Sequence, residues 1–381
     1  MDCNHAPDHR PQGRTGTGLS RRDFIRQVTA TVVGTGSLLG AVVGARPSNA
    51  PGDMGYRVLG KTGISISEIG FGSHVNQQNR NDPSGRAAQI RRGLELGINL
   101  FDIYEHSYQQ FELMSEVLGP VRQDVVISLV TVGPASQVMQ EIEVALDTFK
   151  TDSIDLYRAF VYSSVNRDDL EIRIRTLQQA KTEGKVRAIG LTAHDQSFLV
   201  EMLRTYPELD YLFFPYNFRH QAFAPVTSVH ARTWGEIKAD QEPLPVPKAL
   251  QNRDCVQVPC PDPEFAELVR ETNMGLIAIK PFGGGGLLDL EPSDPLLEKL
   301  RDIGVSLPRA ALRFILGARE IGSTIPAMNS IAEVEENVGA TQGEGMSRAE
   351  FQLLQLYVDA AEESGGKYLP EKYRWLEQWK A

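Results

Sequence analysis

Cysteine is scarce in this chain, three among 381 residues, which excludes a scaffold built on disulfides. Basic charge is also in short supply. With 39 Lys and Arg against 49 Asp and Glu, the formal net charge is −10, and a general nucleic-acid binder, which needs a basic face to displace counterions from phosphates, is excluded. The 34 glycines and 22 prolines follow no triplet period, so collagen-like and low-complexity architectures fail as well. What is present, 41% hydrophobic residues over this length, suffices for one large domain or two medium ones with a substantial core.

The first fifty residues stand apart. They carry six arginines against three acids, which leaves 33 basic against 46 acidic residues beyond them. Within them Ser20-Arg21-Arg22-Asp23-Phe24-Ile25-Arg26 precedes the uncharged stretch Gln27 to Ala45. This resembles a twin-arginine export signal, with small residues near Ala45 and Ala50 as cleavage sites. Residues 1–50 are therefore expected to be a leader and 51–381 the functional domain. The protein is expected to pass through the twin-arginine machinery to the periplasm or envelope, with no stable membrane span after cleavage. Cys255 and Cys260 would be the two cysteines left. A small-loop disulfide or two inert thiols suits them better than a metal site, because no second Cys or His pair stands at zinc spacing.

From about residue 56 apolar runs alternate with segments of helical period. The runs Ser67–Gly72, Ile98–Asp102, Val125–Val130, Ile154–Tyr162, Val186–Thr192, Tyr211–Tyr216, Gly275–Phe282 and Ser323–Ala327 read as strands. Between them, Val138, Ile142, Ala145 and Phe149 fall on one helical face, as do Leu170, Ile174 and Leu177. Ser347 and Glu350 form a capping-box pattern that opens a C-terminal helix. Eight strands each followed by a helix predict an α/β fold, a single (β/α)8 barrel. A long Pro-rich insertion, about 218–262, follows the sixth predicted strand and leaves from the end of the barrel where active sites lie. Gly70-Phe71-Gly72 offers only a weak dinucleotide loop for a doubly wound alternative, since the third glycine and a prompt helix are missing.

Several segments together carry a resemblance. They are Tyr56-Arg57-Val58-Leu59-Gly60-Lys61-Thr62-Gly63, Gly97-Ile98-Asn99-Leu100-Phe101-Asp102, Asp152-Ser153-Ile154-Asp155-Leu156-Tyr157, and Ile325-Pro326 leading to Glu335-Glu336-Asn337. In order and spacing they resemble the aldo/keto reductase superfamily over nearly all of residues 56–360. Gly190-Leu191-Thr192-Ala193-His194, Pro215-Tyr216-Asn217 and Lys280-Pro281-Phe282-Gly283-Gly284 are similar to a branch that often carries a ferredoxin-like tail.

The resemblance implies reduction of carbonyl compounds with NADPH or NADH, by a Tyr proton donor helped by a Lys, an Asp and a His. Asp102 matches the Asp. Tyr108 matches the Tyr if one residue is inserted, Ser107 standing at the ungapped position. The Lys position falls on Leu129, with Val130 next, and the His position on Phe160. Cofactor contacts by resemblance are Gly72, Ser73, Thr192, Lys280, Phe282, Gly283, Met328, Glu336 and Asn337. Thr192-Ala193 replace the family Ser-Asn, Phe213 replaces a Gln, and Ala327 and Glu333 stand where basic residues grip the 2′-phosphate of NADPH. NADH is thus favoured over NADPH.

His74, His106, His194 and Lys280, at or past strand ends, are the candidates to make good the missing groups, with His106 nearest Tyr108 as acid or base. Gly283 to Gly286 suit a phosphate cradle. With the Lys lost beside Asp102, ordinary carbonyl reduction is expected to be slow or absent. The expected substrate is a carbonyl compound or sugar; the alternative is a catalytically impaired barrel, exported as a small-molecule-binding or protein-interaction module.

Overall fold

The computed structural model describes residues 54–74, 79, 81–104, 108–131, 133–161, 165–194, 196–220, 263–318, 320–343 and 346–378. The leader, His106, the insertion from residue 221 and both Cys255 and Cys260 lie outside them.

The chain enters through a hairpin that the apolar pattern did not announce, β1 (Tyr56–Val58) paired antiparallel with β2 (Ser65–Ser67). Its turn packs on the barrel floor. A side chain at Gly60, φ +47, would meet the backbone nitrogen of Gly275 at 2.3 Å, so glycine is required there by conformation and by contact.

Eight parallel strands follow: β3 (Phe71–Gly72), β4 (Leu100–Ile103), β5 (Val126–Thr131), β6 (Ile154–Val161), β7 (Val186–Ala193), β8 (Tyr211–Pro215), β9 (Gly275–Ile279) and β10 (Ile321–Thr324). Each pairs with the next in chain order. A bridge between Ile69 and Thr324, with Gly70 N donating to Thr324 O and Thr324 N to Glu68 O, joins first to last. Gly70-Phe71-Gly72 is therefore a seam strand and not a dinucleotide loop.

The helices are α1 (Pro83–Glu95), α2 (Tyr108–Leu118), α3 (Val138–Phe149), α4 (Arg167–Thr182), α5 (Gln196–Thr205), α6 (Pro263–Thr272), α7 (Leu296–Asp302), α8 (Leu307–Gly317), α9 (Ile331–Val338) and α10 (Arg348–Ser364). The apolar faces read from the sequence are buried: Val138, Ile142, Ala145 and Phe149 on α3, and Leu170, Ile174 and Leu177 on α4. The capping box of α10 forms as expected, Ser347 Oγ accepting from Glu350 N and Glu350 Oε2 from Ser347 N.

Strand alternation sorts the core into two layers. Ile127, Leu129, Tyr157 and Ile189 join the outer layer under the helices. Leu100, Val126, Leu156, Ala188, Tyr211 and Ile277 fill the barrel floor, with Leu59, Ile64 and Ile66 of the hairpin plugging it from below. Each such side chain, fully buried, contributes roughly 1.5–3 kcal/mol. Gly190 on β7 is part of that packing, for a Cβ there would stand 2.6 Å from the Tyr211 ring.

Candidate functional site

Directly above the apolar floor the inward register turns polar. Asp102 on β4 faces Ser128 on β5, to which it is paired in register. Ser128 Oγ donates to Asp102 Oδ1 at 2.8 Å. Two residues above Leu156, Arg158 on β6 reaches across: its Nη1 donates to Asp102 Oδ1 at 2.6 Å and its Nη2 to Oδ2 at 3.1 Å. Nη1 also donates to Ser128 Oγ and the Leu129 carbonyl, and Nε donates to Thr192 Oγ1 on β7 at 2.7 Å. The guanidinium lies 3.8 Å from the centre of the Phe213 ring on β8. Asp102 is 5% exposed and Arg158 1%, so the pair is sealed. A carboxylate and a guanidinium this deep survive only because the bidentate geometry and the further hydrogen bonds offset their desolvation.

The expectation of a carboxylate stripped of its cation is thus corrected. The positive charge comes from β6, one strand beyond the Lys position. Leu129 itself faces the outer layer, packed with Ile127; by alternation from Val126 and Ser128, Val130 is the inward residue at that rim. Both oxygens of Asp102 are engaged, so the carboxylate is a fixed negative charge. Beneath it, burial raises the Tyr211 phenol well above its usual value, and it stays protonated.

Above the ion pair runs a row of rings. Tyr104 meets Phe160 edge to face at 5.7 Å, Phe160 meets His194 likewise at 5.2 Å, and His194 stacks on Trp375 at 4.1 Å with the planes 10° apart. An imidazole therefore touches the phenyl ring that stands at the family His position, again supplied from one strand further on. Burial, and then the neighbouring Lys280 charge, push His194 down to about 3, which leaves it neutral at ordinary pH.

Trp375 and Tyr373 belong to a C-terminal 3-10 segment, Glu371–Gln378, that crosses this rim. Lys280 follows the last residue of β9 with φ +58. Its ammonium lies 4.7 Å from the centre of the Tyr373 ring, and burial, then Lys372, push it down to about 8. Tyr373 covers Gly284 so closely that a Cβ there would sit 2.0 Å from the ring, and Gly286 lies against the Tyr368 carbonyl in the same way. Part of the glycine run is explained by this close approach; Gly285, φ +100, opens onto free space.

The remaining predicted residues scatter in accessibility. Gly72 is buried and its carbonyl accepts from Arg86 Nη2 at 2.6 Å. The Met328 side chain is in the core, and its carbonyl accepts from Arg86 Nη1 at 2.8 Å. Ser73 N donates to Asp102 O, and Ser73 Oγ accepts from Tyr104 N. Gly283 and Asn337 are buried, Phe282 is half-buried, and half-buried Glu336 pairs with Arg309 at 3.0 Å. His74 is exposed. Tyr108 opens α2. Among the described residues no group of three or more His, Cys, Asp or Glu could hold a metal, and no helix is long and apolar enough to cross a membrane.

A nicotinamide dinucleotide needs unspent donors for its diphosphate and polar groups for its adenosine. Lys280, which has no carboxylate partner among the described residues, fits the first need. The glycine run adds fewer donors than a phosphate cradle calls for, since Gly283 N and Gly285 N already donate to the Lys280 and Phe282 carbonyls at 3.0 and 2.9 Å. For the second need Asn337 is present, while the two carboxylate oxygens of Glu336 accept from Ser306 and Arg309. Thr192 and Phe213, at the nicotinamide end by resemblance, are committed to Arg158.

Residues 68–222 match the Aldo/keto reductase family. L-galactose dehydrogenase of Arabidopsis thaliana is 23% identical over 74% of this chain and 87% of its own, and the uncharacterized oxidoreductase YqkF of Bacillus subtilis is 20% identical over 80% and 97%. Among solved structures, the holo form of the aldo-keto reductase AKR11C1 from Bacillus halodurans superposes with a TM-score of 0.55 at 20% identity, covering 84% of this chain and 99% of its own. Its apo form gives 0.54 at 19%. The matched segment is similar to the aldo/keto reductase family, and the solved structures share the barrel fold of this chain.

Proposed function

We propose that this protein is an exported oxidoreductase that reduces a carbonyl compound, a sugar or a sugar-like aldehyde or ketone, with NADH preferred over NADPH. The Arg158 guanidinium on the Asp102 carboxylate is the observation that carries the reading, because it returns a cation to the one place where the family chemistry needs it. When bound, the nicotinamide would supply the hydride. Lys280 would meet the diphosphate of that cofactor, and Glu336 with Asn337 would face its adenosine.

Asp102 acts as a fixed anion, and Arg158 positions it. The proton to the carbonyl oxygen comes from Tyr108, the residue that opens α2. Neutral His194, on the same rim, donates or accepts a hydrogen bond at the substrate without changing charge. The sugar-like substrate is supported by the relation to L-galactose dehydrogenase and by the ring-lined mouth, whose faces suit a pyranose or furanose ring. NADH preference rests on Glu333, whose carboxylate accepts from Asn329 N at 2.8 Å at the start of α9 and would repel a 2′-phosphate.

One observation favours a second reading, that of an impaired barrel which binds a small molecule without turnover: the C-terminal segment lies on Gly284 and on His194. Titration of the full chain with NADH and NADPH, followed by nicotinamide fluorescence, separates the two. The oxidoreductase reading expects NADH to bind about tenfold tighter or more, a factor worth ~1.4 kcal/mol; absence of binding by either at millimolar concentration would leave only the second.

A further inference from the structure

The ladder that closes the barrel is thinnest at its seam. β3 has two residues, both paired with β4, and the single bridge between Ile69 and Thr324, which precedes β3, ties the first strand to the last. Past that bridge, toward the mouth, no strand pairing joins Gly72 to the segment after β10 among the described residues.

Helix α1 supplies the closure. Arg86, Gln89, Ile90 and Gly93 are buried and recur at i, i+3, i+4 and i+7, the face that an amphipathic helix gives to a core, yet the first two are polar. Arg86 is 1% exposed, with its guanidinium 4.4 Å from the centre of the Phe71 ring. Its Nη2 donates to the Gly72 carbonyl at 2.6 Å and its Nη1 to the Met328 carbonyl at 2.8 Å, one on each side of the seam. Nη1 also donates to Gln89 Oε1 at 2.8 Å, and Gln89 Nε2 donates onward to Asn79 Oδ1 at 2.6 Å and to the Asn329 carbonyl at 3.0 Å.

A buried cation near the N-terminus of a helix, with no carboxylate among the described residues, is unfavourable on both counts. Burial pushes Arg86 down to about 9, so it keeps its proton at neutral pH. An aliphatic residue would fill that face without the penalty. What only a guanidinium offers is a rigid planar fork whose arms reach two carbonyls of two different segments. Both segments lead to the site. Ser73, next after Gly72, donates its N–H to the Asp102 carbonyl at 2.9 Å and accepts from Tyr104 N through its Oγ at 2.9 Å. Asn329, next after Met328, donates its N–H to Glu333 on α9, the helix that bears Glu336 and Asn337.

We propose that Arg86 is a positioning residue, which clasps the first-to-last seam at the mouth and so fixes the Asp102–Tyr104 side of the site against the α9 side, between which a ligand is held. That this ligand is a dinucleotide rests on the function proposed above; the clasp does not.

Amide hydrogen exchange of the full chain without ligand, followed by mass spectrometry, examines the clasp alone. In Arg86→Lys, which keeps the charge and loses the fork, the amides of Ser73, Tyr104 and Asn329 should exchange about tenfold faster, with those of β6 and β7 unchanged. Gln89→Leu should release Asn329 and leave Ser73 as in wild type, and it decides the matter should Arg86→Lys fold poorly. Exchange equal to wild type in both variants, or a uniform rise that includes β6 and β7, overturns the proposal. Calorimetric titration with ADP-ribose then reads the positioning. Binding should be about tenfold weaker in Arg86→Lys, because a loosened mouth must be ordered on binding, and unchanged in Arg175→Lys, an exposed control on α4. Equal affinity in wild type and Arg86→Lys despite locally raised exchange also overturns it. Wild type that binds no ADP-ribose would contradict the dinucleotide reading, and the exchange pattern would still decide the clasp.

Discussion

Arg158 and Lys280 stand towards the carboxyl ends of β6 and β9 of one barrel, and their surroundings could hardly differ more. The guanidinium is bonded to a carboxylate by two nitrogens, to two hydroxyls and to a carbonyl, and is stacked on a phenyl ring. The ammonium has a phenol ring beneath it, another ammonium nearby and no anion among the described residues. A buried charge that is fully answered by its own chain belongs to the machinery's fixed frame; one left unanswered waits for something from outside. The floor of the mouth is therefore a preset electrostatic background, and its rim is the place for a ligand.

The sharpest way to break this contrast is to remove Arg158. Arg158→Met strands the Asp102 carboxylate, and urea unfolding should show a loss of about 3–5 kcal/mol, with most of it regained when Asp102→Asn is added. A loss below about 1 kcal/mol would mean the pair is not sealed. A smaller effect is expected from His194. Its folded-state value, about 3, lies below the usual unfolded value near 6.5, so between the two the unfolded chain binds more protons. Its contribution is fully present above about pH 6.5 and is lost as pH falls toward 3. The loss by pH 4 is about 3 kcal/mol, and His194→Phe should flatten that part of the stability profile.

Next comes cofactor choice. Glu333→Arg should shift the NADH to NADPH affinity ratio by about tenfold toward NADPH, read by fluorescence titration. Smallest of all, Lys280→Met should leave stability at neutral pH within about 0.5 kcal/mol or slightly raised, because a cation without its anion is being deleted. With its folded value near 8 below the unfolded one near 10.4, wild type should gain stability from pH 8 upward, and the variant should lack that rise.

Much of the scaffold was legible because burial imposes periodicity. All eight predicted strands, the buried faces of α3 and α4 and the cap of α10 were visible as patterns. The hairpin was not, since three-residue strands at a barrel floor leave no period to read. Asp102 was legible from its family context. Arg158 is not found by matching the Lys position alone, because electrostatics requires only that some cation reach the carboxylate. The signal was there in the sequence: an arginine two residues after inward Leu156, inside an otherwise apolar strand, has to be paired. Tyr373 and Trp375 were beyond reach, for nothing local says that a C-terminal segment returns across the rim.

The account's central claim is that the charge beside Asp102 has been moved to another strand and still serves the reaction. Steady-state oxidation of NADH with a reactive aldehyde such as glyceraldehyde, compared in wild type, Arg158→Lys and Arg158→Met, tests it most directly. The account predicts turnover of about 1 per second or faster in wild type. It predicts a partial rate in the lysine variant, which keeps the charge but not the fork, and near-complete loss of kcat in the methionine variant, with KM for NADH little changed. Wild-type protein that binds NADH without turnover, or a methionine variant as fast as wild type, would contradict it.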